Sequence, residues 1–256
     1  MDASVHLETR AVDCCVSGCL AFTHTPSQKT TCDACGAPRD KDNGKSAKQA
    51  TYWSLTSWLA HLLGDPVIGK SMLEHMAAAR RAADEGADGV QDYYRGTIFR
   101  LYRDRGLLNN GPFVMQNCST DGFQFFRQNG DEGWSNTATP LCLSPDQSSC
   151  NNHQLLLVVI PGPNQPVDLE SFWRPIAKES DELAKGVPGL IIPRSGTPTA
   201  LRAGVPNFTT DQPGGDEITD FKGTSSYFVN RLRTFKCFYF PVSNHIYHPP
   251  HDPMNG

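Results

Sequence analysis

HQLLLVVIPGPNQPVDLESFWRPIAKESDELAKG, residues 153–186, is the stretch on which the fold turns. Leu155 to Ile160 form a continuous Leu/Val/Ile run, closed by Pro161, Gly162 and Pro163. A short unbroken apolar run bounded by turn formers predicts a strand buried on both faces. The period then changes. Phe172, Ile176, Leu183 and Val187 recur at helical spacing and make one apolar stripe. Asp168 stands where an N-cap belongs, and Gly186 where a helix ends. Pro175 lies inside this helix and predicts a kink or a second start, because proline has no N–H to give. Phe172 and Trp173 belong to the core rather than to a base-stacking platform. A buried strand leading into an amphipathic helix predicts an α/β fold.

Upstream, GPFVMQNCSTDGFQFFRQNGDEGW (111–134) holds two short strand-like runs around Asp121-Gly122. Asp-Gly between apolar runs predicts a turn there, with strands at 113–118 and 123–127. The following WSNTATPLCLSPDQSSCNN (134–152) is mostly polar, so no paired strand is expected from it. Residues 52–106 read as helical, with Leu55, Trp58, Leu59 and Leu62 on one stripe. An Ala-rich helix follows over 67–88, and another over 90–106. Beyond Val187 the pattern weakens. FKCFYFPV (235–242) is the last strand-like run, and the Pro/His-rich residues 243–256 form a disordered tail.

The cysteines are clustered. Five of the nine are Cys14, Cys15, Cys19, Cys32 and Cys35. Cys15 and Cys19 form a C-x3-C pair, and Cys32 and Cys35 a C-x2-C pair followed by Gly36. Two such pairs bring four thiolates into one tetrahedral site, which predicts a structural Zn²⁺ held by Cys15, Cys19, Cys32 and Cys35. A closed site of four thiolates keeps no open position, so no catalysis is assigned to it. Cys14 is a spare thiol beside the first pair. Residues 10–40 are thus expected as a zinc-binding module, 39–49 as a polar linker and 50–106 as a helical connector. Residues 111–242 are expected as the main domain.

Composition excludes several classes. With 23 Lys+Arg against 27 Asp+Glu the formal charge is −4, so the chain does not coat nucleic acid by charge alone. No run approaches the ~18 apolar residues of a membrane span. The opening MDASVHLETRAVD has no basic-then-apolar leader, which predicts an intracellular protein, nuclear or cytoplasmic, with reduced thiols.

An ordered series of blocks carries a family likeness. The C-x3-C and C-x2-C-G-x-x-R pattern ends at Arg39, and Tyr52-Trp53-Ser54-Leu55 follows. Then come STDGFQFFRQ (119–128), IPGPNQPVDLESFWRPI (160–176) and ELAKGVPGL (182–190). Over residues 10–190 this series resembles the CACTA-type (Plavaka-like) DNA transposases of fungal genomes. The resemblance implies a zinc knuckle followed by an RNase H-like core. It further implies cutting and joining of DNA at transposon ends, driven by acidic residues holding Mg²⁺ or Mn²⁺. Asp121 matches the first catalytic acid. Asp211, in LRAGVPNFTTDQPG (201–214), matches the second, with Thr210 where the family carries Gly. Asn230 and Arg233 stand where the family carries a second cysteine pair. A third acid is expected further on than Gly256, so the reading is a truncated, inactive transposase-derived protein. DNA is the implied partner, with a homo-oligomer left open and no membrane.

Other features have plainer readings. Asp121 in an Asp-Gly pair is ordinarily a turn former. His245, His248 and His251 are spaced like metal ligands, but Pro249-Pro250 between them enforces an extended tail. Arg80-Arg81 and Arg95, Arg100, Arg103 and Arg105 suit phosphate contacts, but equally a solvated helix face. The rival to the transposase reading is a non-enzymatic zinc-dependent DNA- or protein-binding module.

Overall fold

The Leu155–Pro161 run is a strand, and Leu169–Lys185 is the helix that follows it. Both come from a computed structural model of the chain. It describes residues 7–23, 29–84, 97–106, 108, 112–124, 132–148, 150–162, 164–191 and 198–209. The elements in chain order are β1 (Thr9–Cys14), β2 (Lys48–Trp53), α1 (Leu55–Gly64), α2 (Ile68–Asp84) and α3 (Thr97–Asp104). There follow β3 (Phe113–Gln124), β4 (Glu132–Pro140), α4 (Pro145–Ser148), β5 (Leu155–Pro161), α5 (Leu169–Lys185), β6 (Val187–Ile191) and β7 (Pro198–Thr209).

The strands make one mixed sheet in the order β1-β2-β5-β4-β3-β7-β6. Strands β3, β4 and β5 form an antiparallel meander. The chain then runs through α5 and returns as β7, which pairs parallel with β3 on the far side of the meander. β2 adds antiparallel to the outer edge of β5, and β1 to β2.

The register defines two faces. Tyr52, Val158, Asn136 and Thr120 lie directly across from one another along the sheet. Tyr52 Oη donates to the carbonyl of Phe172, which puts α5 on this face. Phe172, Ile176, Ala177 and Leu183 of α5 are buried, the stripe expected from the sequence, and Trp173 is buried with them. Burying each of Phe172, Ile176 and Leu183 stabilises the fold by about 1.5–3 kcal/mol. Asp168 caps α5, its Oδ1 accepting from Ser171 N at 3.0 Å.

Several expectations need correction. The chain does not turn at Asp121-Gly122. β3 runs straight through both, and Gly122 lies opposite Trp134. The Trp134 indole packs over Gly122, 3.5 Å from where a Cβ would sit, an ordinary contact distance. The polar WSNTATP stretch is a strand after all, paired on both sides. Its buried residues alternate as Trp134, Asn136, Ala138 and Pro140, so period, not polarity, was the useful signal. β5 is not buried on both faces: Leu156 is exposed. Leu157 is a bulge residue, since Asn136 pairs with Val158 and Thr137 with Leu156, and this puts Leu157 and Val158 both in the core. Tyr52 and Trp53 belong to β2, not to a helix, and Lys48 and Gln49 of the expected linker begin that strand. β6 and β7 were not foreseen.

The expected connector and main domain share one buried cluster, which runs from Cys14 through Leu59, Phe113 and Leu157 to Val205, while Cys15, Cys19, Leu20, Phe22 and Cys32 form a second, smaller one. α1 is joined to α5 by a carboxylate. Glu179 accepts from Ser54 Oγ (2.7 Å), Leu55 N (3.2 Å) and Thr56 N (2.9 Å), so it satisfies donors that the first turn of α1 leaves open. Glu179→Ala should therefore lower unfolding stability by about 2 kcal/mol, as charge-assisted bonds to partly buried donors do. Urea denaturation checks this, and a loss below ~0.5 kcal/mol would show the carboxylate to be dispensable.

Candidate metal centre

The four cysteines Cys15, Cys19, Cys32 and Cys35 converge. Their sulfurs all lie within 4.8 Å of one another, and Cys15 Sγ is 3.4 Å from Cys35 Sγ. Tetrahedral bonds of ~2.3 Å require sulfurs about 3.8 Å apart, so the tetrad is close enough to hold a metal ion. Among the described residues no other group of three or more His, Cys, Asp or Glu side chains meets that condition.

Local turns build the site. After β1 the chain folds back through Gly18, whose φ of 78° only glycine adopts freely, and a bridge pairs Cys14 with Ala21. Ser17 N donates to Cys15 Sγ at 3.4 Å. In the second knuckle, Gly36 has φ 72° and its N–H returns to the carbonyl of Cys32 at 2.8 Å. The N–H groups of Ala34 and Cys35 point at the Cys32 sulfur, and that of Ala37 at the Cys35 sulfur. Arg39 holds the second knuckle to β1: its Nε and Nη2 reach Asp13 at 2.9 and 2.5 Å, and its guanidinium lies over the Phe22 ring.

The electrostatics fit a cation. Burial, with hydrogen bonds to Cys35 and Cys15, pushes the Cys19 thiol up to about 12. Burial also raises Cys32. The Ala37 N–H and the Cys15 thiol draw Cys35, the one exposed member, down to about 7. Without a positive charge between them these thiols cannot ionise together, and a divalent ion supplies that charge.

Cys14 is not part of the tetrad. It is fully buried in the main core, on the sheet face that also carries Tyr52, and burial pushes its thiol up to about 12. Successive strand residues point to opposite faces, so only one of Cys14 and Cys15 can face the other knuckle.

The candidate acids stand differently. Asp121 lies near the end of β3, opposite Ser135, on the face turned away from α5, and it is exposed. Asn117, Ser119, Ser135, Thr137 and Thr139 share that face, and Ser119 and Thr137 hydroxyls meet at 2.5 Å. Asp211, Asn230, Arg233, Arg95, His245, His248 and His251 lie outside the described residues. The last described residue of β7, Thr209, pairs with Ser119, two residues before Asp121. Of the arginines, Arg80 donates to the Leu108 carbonyl, Arg103 pairs with Asp104, and Arg81, Arg100 and Arg105 are exposed.

No protein-family model and no curated protein sequence matches this chain.

The sequence reading missed the residues that seat the knuckle on the sheet. Lys48 Nζ donates to the carbonyls of Val16 and Gly162. Ser171 Oγ accepts from Ala21 N at 2.8 Å. Thr23 Oγ1 donates to the Ser171 carbonyl at 2.5 Å, and the signal for that contact was Pro175, which leaves this carbonyl without its helical donor.

Two outcomes follow for the metal. Cys14→Ser should keep the metal-to-chain ratio unchanged, whereas Cys15→Ser should weaken binding sharply, both read by metal analysis after gel filtration. The reverse pattern would make Cys14 the ligand. Affinity should also fall as pH falls. Cys19 and Cys32 hold their protons in the metal-free state, and binding releases them, so acid competes with the ion. A chelator competition at pH 6 and pH 8 should show affinity lower at pH 6 by more than about tenfold per unit. A flat profile would mean that the thiols ionise without metal.

Proposed function

We propose that this chain is a transposase-derived protein related to enzymes that cut and join DNA at transposon ends. In this reading its four thiolates hold a structural Zn²⁺, and its sheet is an RNase H-like core. The observation that carries the core is the strand order. An RNase H-like core needs three antiparallel strands, a helix, and then a strand parallel to the first on its other side. The order β5-β4-β3-β7, with α5 between β5 and β7, supports this reading. The ordered sequence blocks support the transposase assignment within that class.

Zinc is favoured among metals by the donor set. Four thiolates in a closed cluster suit a tetrahedral, redox-inert ion, and hard ions such as Mg²⁺ prefer oxygen. The reaction would instead use oxygen ligands at Asp121 and Asp211. Asp121 sits on an open polar sheet face, as a residue that must reach a phosphodiester requires. The chain arrives at Asp211 two residues after Thr209, the partner of Ser119. Mg²⁺ or Mn²⁺ held by both acids would stabilise the charge that develops on phosphorus oxygens. Two carboxylates leave too little charge for two tightly held ions, so these 256 residues alone should not cleave DNA.

Metal analysis of the purified chain should find one zinc per molecule, and a chain free of zinc would remove the structural site. The second test is strand cleavage of duplexes carrying transposon ends, with Mg²⁺ or Mn²⁺. No cleavage above background is expected. Cleavage that Asp121→Ala abolishes would overturn the inactivity and support Asp121 as a metal ligand. Cleavage that survives Asp121→Ala would remove Asp121 from the site.

A further inference from the structure

The knuckle loop and the start of α5 are tied by a set of hydrogen bonds and one close backbone approach. Pro175 has no N–H, so the carbonyl of Ser171, four residues back, lacks its helical donor. Thr23, just past the first cysteine pair, fills the gap: its Oγ1 donates to Ser171 O at 2.5 Å. Ala21 N donates to Ser171 Oγ, which itself donates to Asp168 O at 2.6 Å. The carbonyl of Cys19, a metal-ligand candidate, accepts from both Val167 N and Asp168 N at 2.9 Å. Gly18 lies against the backbone of Pro161, Gly162 and Asn164 so closely that a Cβ would sit 3.2 Å from Pro161 O. Lys48 joins Val16 O to Gly162 O across the same seam.

We propose that the four-cysteine site is a metal-dependent clasp on the β5–α5 connection. When the ion is bound, the 15–23 loop is fixed, and it supplies the donors and acceptors that order residues 161–175. When the ion leaves, these residues lose their partners first and the meander β3-β4-β5 is left largely intact. The clasp makes the N-terminal half of α5, and through it the cover of the inner sheet face, responsive to metal supply. The loop is held to β1 by the Phe22 N–H to Asp13 carbonyl bond, and it reaches the main core through Ala21. Its buried cluster is only Cys15, Cys19, Leu20, Phe22 and Cys32, three of them ligand candidates. This inference rests on the metal reading of the tetrad, but on neither zinc as the ion nor the transposase assignment.

Hydrogen exchange of the full chain, zinc-loaded and after chelation, tests it. Metal analysis of the same samples establishes first that zinc was bound and then removed. Exchange in 161–175 should rise by about tenfold or more on removal, and in 132–140 by less than about twofold. Zinc bound and removed with no change in 161–175 would overturn the clasp while leaving the metal site standing. An equal rise throughout the sheet would also overturn it, since the ion would then stabilise the fold globally. No zinc in the loaded sample would sink the metal site and the clasp with it. Thr23→Val, which removes the hydroxyl donor without touching a ligand, gives an independent check. It should keep full zinc stoichiometry yet raise exchange in 168–175, whereas unchanged exchange there would show that the Thr23 contact carries no coupling. Pro175→Ala restores an N–H to the helix and should blunt the response to chelation. A response of full size in that variant would count against the role given to the Ser171 carbonyl.

Discussion

The packing of α5 on the inner sheet face is the contact on which the other elements depend. Its apolar stripe covers the face that carries Val158 and Ala138. Its polar groups then hold what lies around it. Glu179 caps α1. The carbonyls of Phe172, Pro175 and Ala184 accept from Tyr52, Arg10 and Arg202. Tyr52 and Arg10 extend from β2 and β1, so the outer strands are attached twice, once through the sheet ladder and once through the helix. A proline in mid-helix costs about 3 kcal/mol or more in isolation. Here the carbonyl it frees is used by Thr23, which offsets part of that cost and turns a local defect into a tertiary bond.

The inner face is not wholly apolar. Gln116, Thr120 and Asn136 are buried there, and their side-chain polar atoms have no hydrogen-bond partner among the described residues. Thr120 and Asn136 lie directly opposite each other. Each such group costs about 1–3 kcal/mol. The opposite face has the reverse character beyond Met115, an open array of Ser, Thr and Asn side chains leading to Asp121. Such a face contributes little to stability and leaves the carboxylate of Asp121 in contact with solvent.

What the sequence revealed depended on how strictly its pattern followed one rule. The 153–186 stretch kept a clean period, a capping Asp168 and a terminating Gly186, and its strand and helix were placed within one or two residues. The cysteine tetrad was legible because ligand spacing is a local property, and Cys15 rather than Cys14 faces the cluster. The Asp-Gly pair misled because its turn preference is weak beside the ladder bonds that β4 offers β3 on both sides of it. β4 was missed because its inward residues include Asn136, and a strand read by hydrophobicity alone loses a buried polar position. β2 was hidden behind the helical stripe of α1, which begins two residues after it. The attachment of the knuckle to α5 joins residues 150 apart in sequence, a separation that no local pattern encodes.

On the proposed clasp, a metal at this position would do what a larger core does elsewhere. Among the described residues of 15–37 a handful of side chains are buried, too few to offset an ordering entropy of ~1–2 kcal/mol per residue. A structural Zn²⁺ in a four-ligand site contributes on the order of 10–16 kcal/mol, comparable with the 5–15 kcal/mol by which whole domains are stable. Energy of that size can order the knuckle and still leave enough to hold a neighbouring helix start whose own hydrogen bonding is incomplete at Pro175. If the knuckle were only a decoration on a finished sheet, its contacts would be few and interchangeable. Instead the backbone carbonyl of Cys19, whose own side chain is a thiolate candidate, accepts both N–H groups at the entrance to α5. A shift of that sulfur on metal loss therefore reaches the entrance to α5 through Cys19 alone.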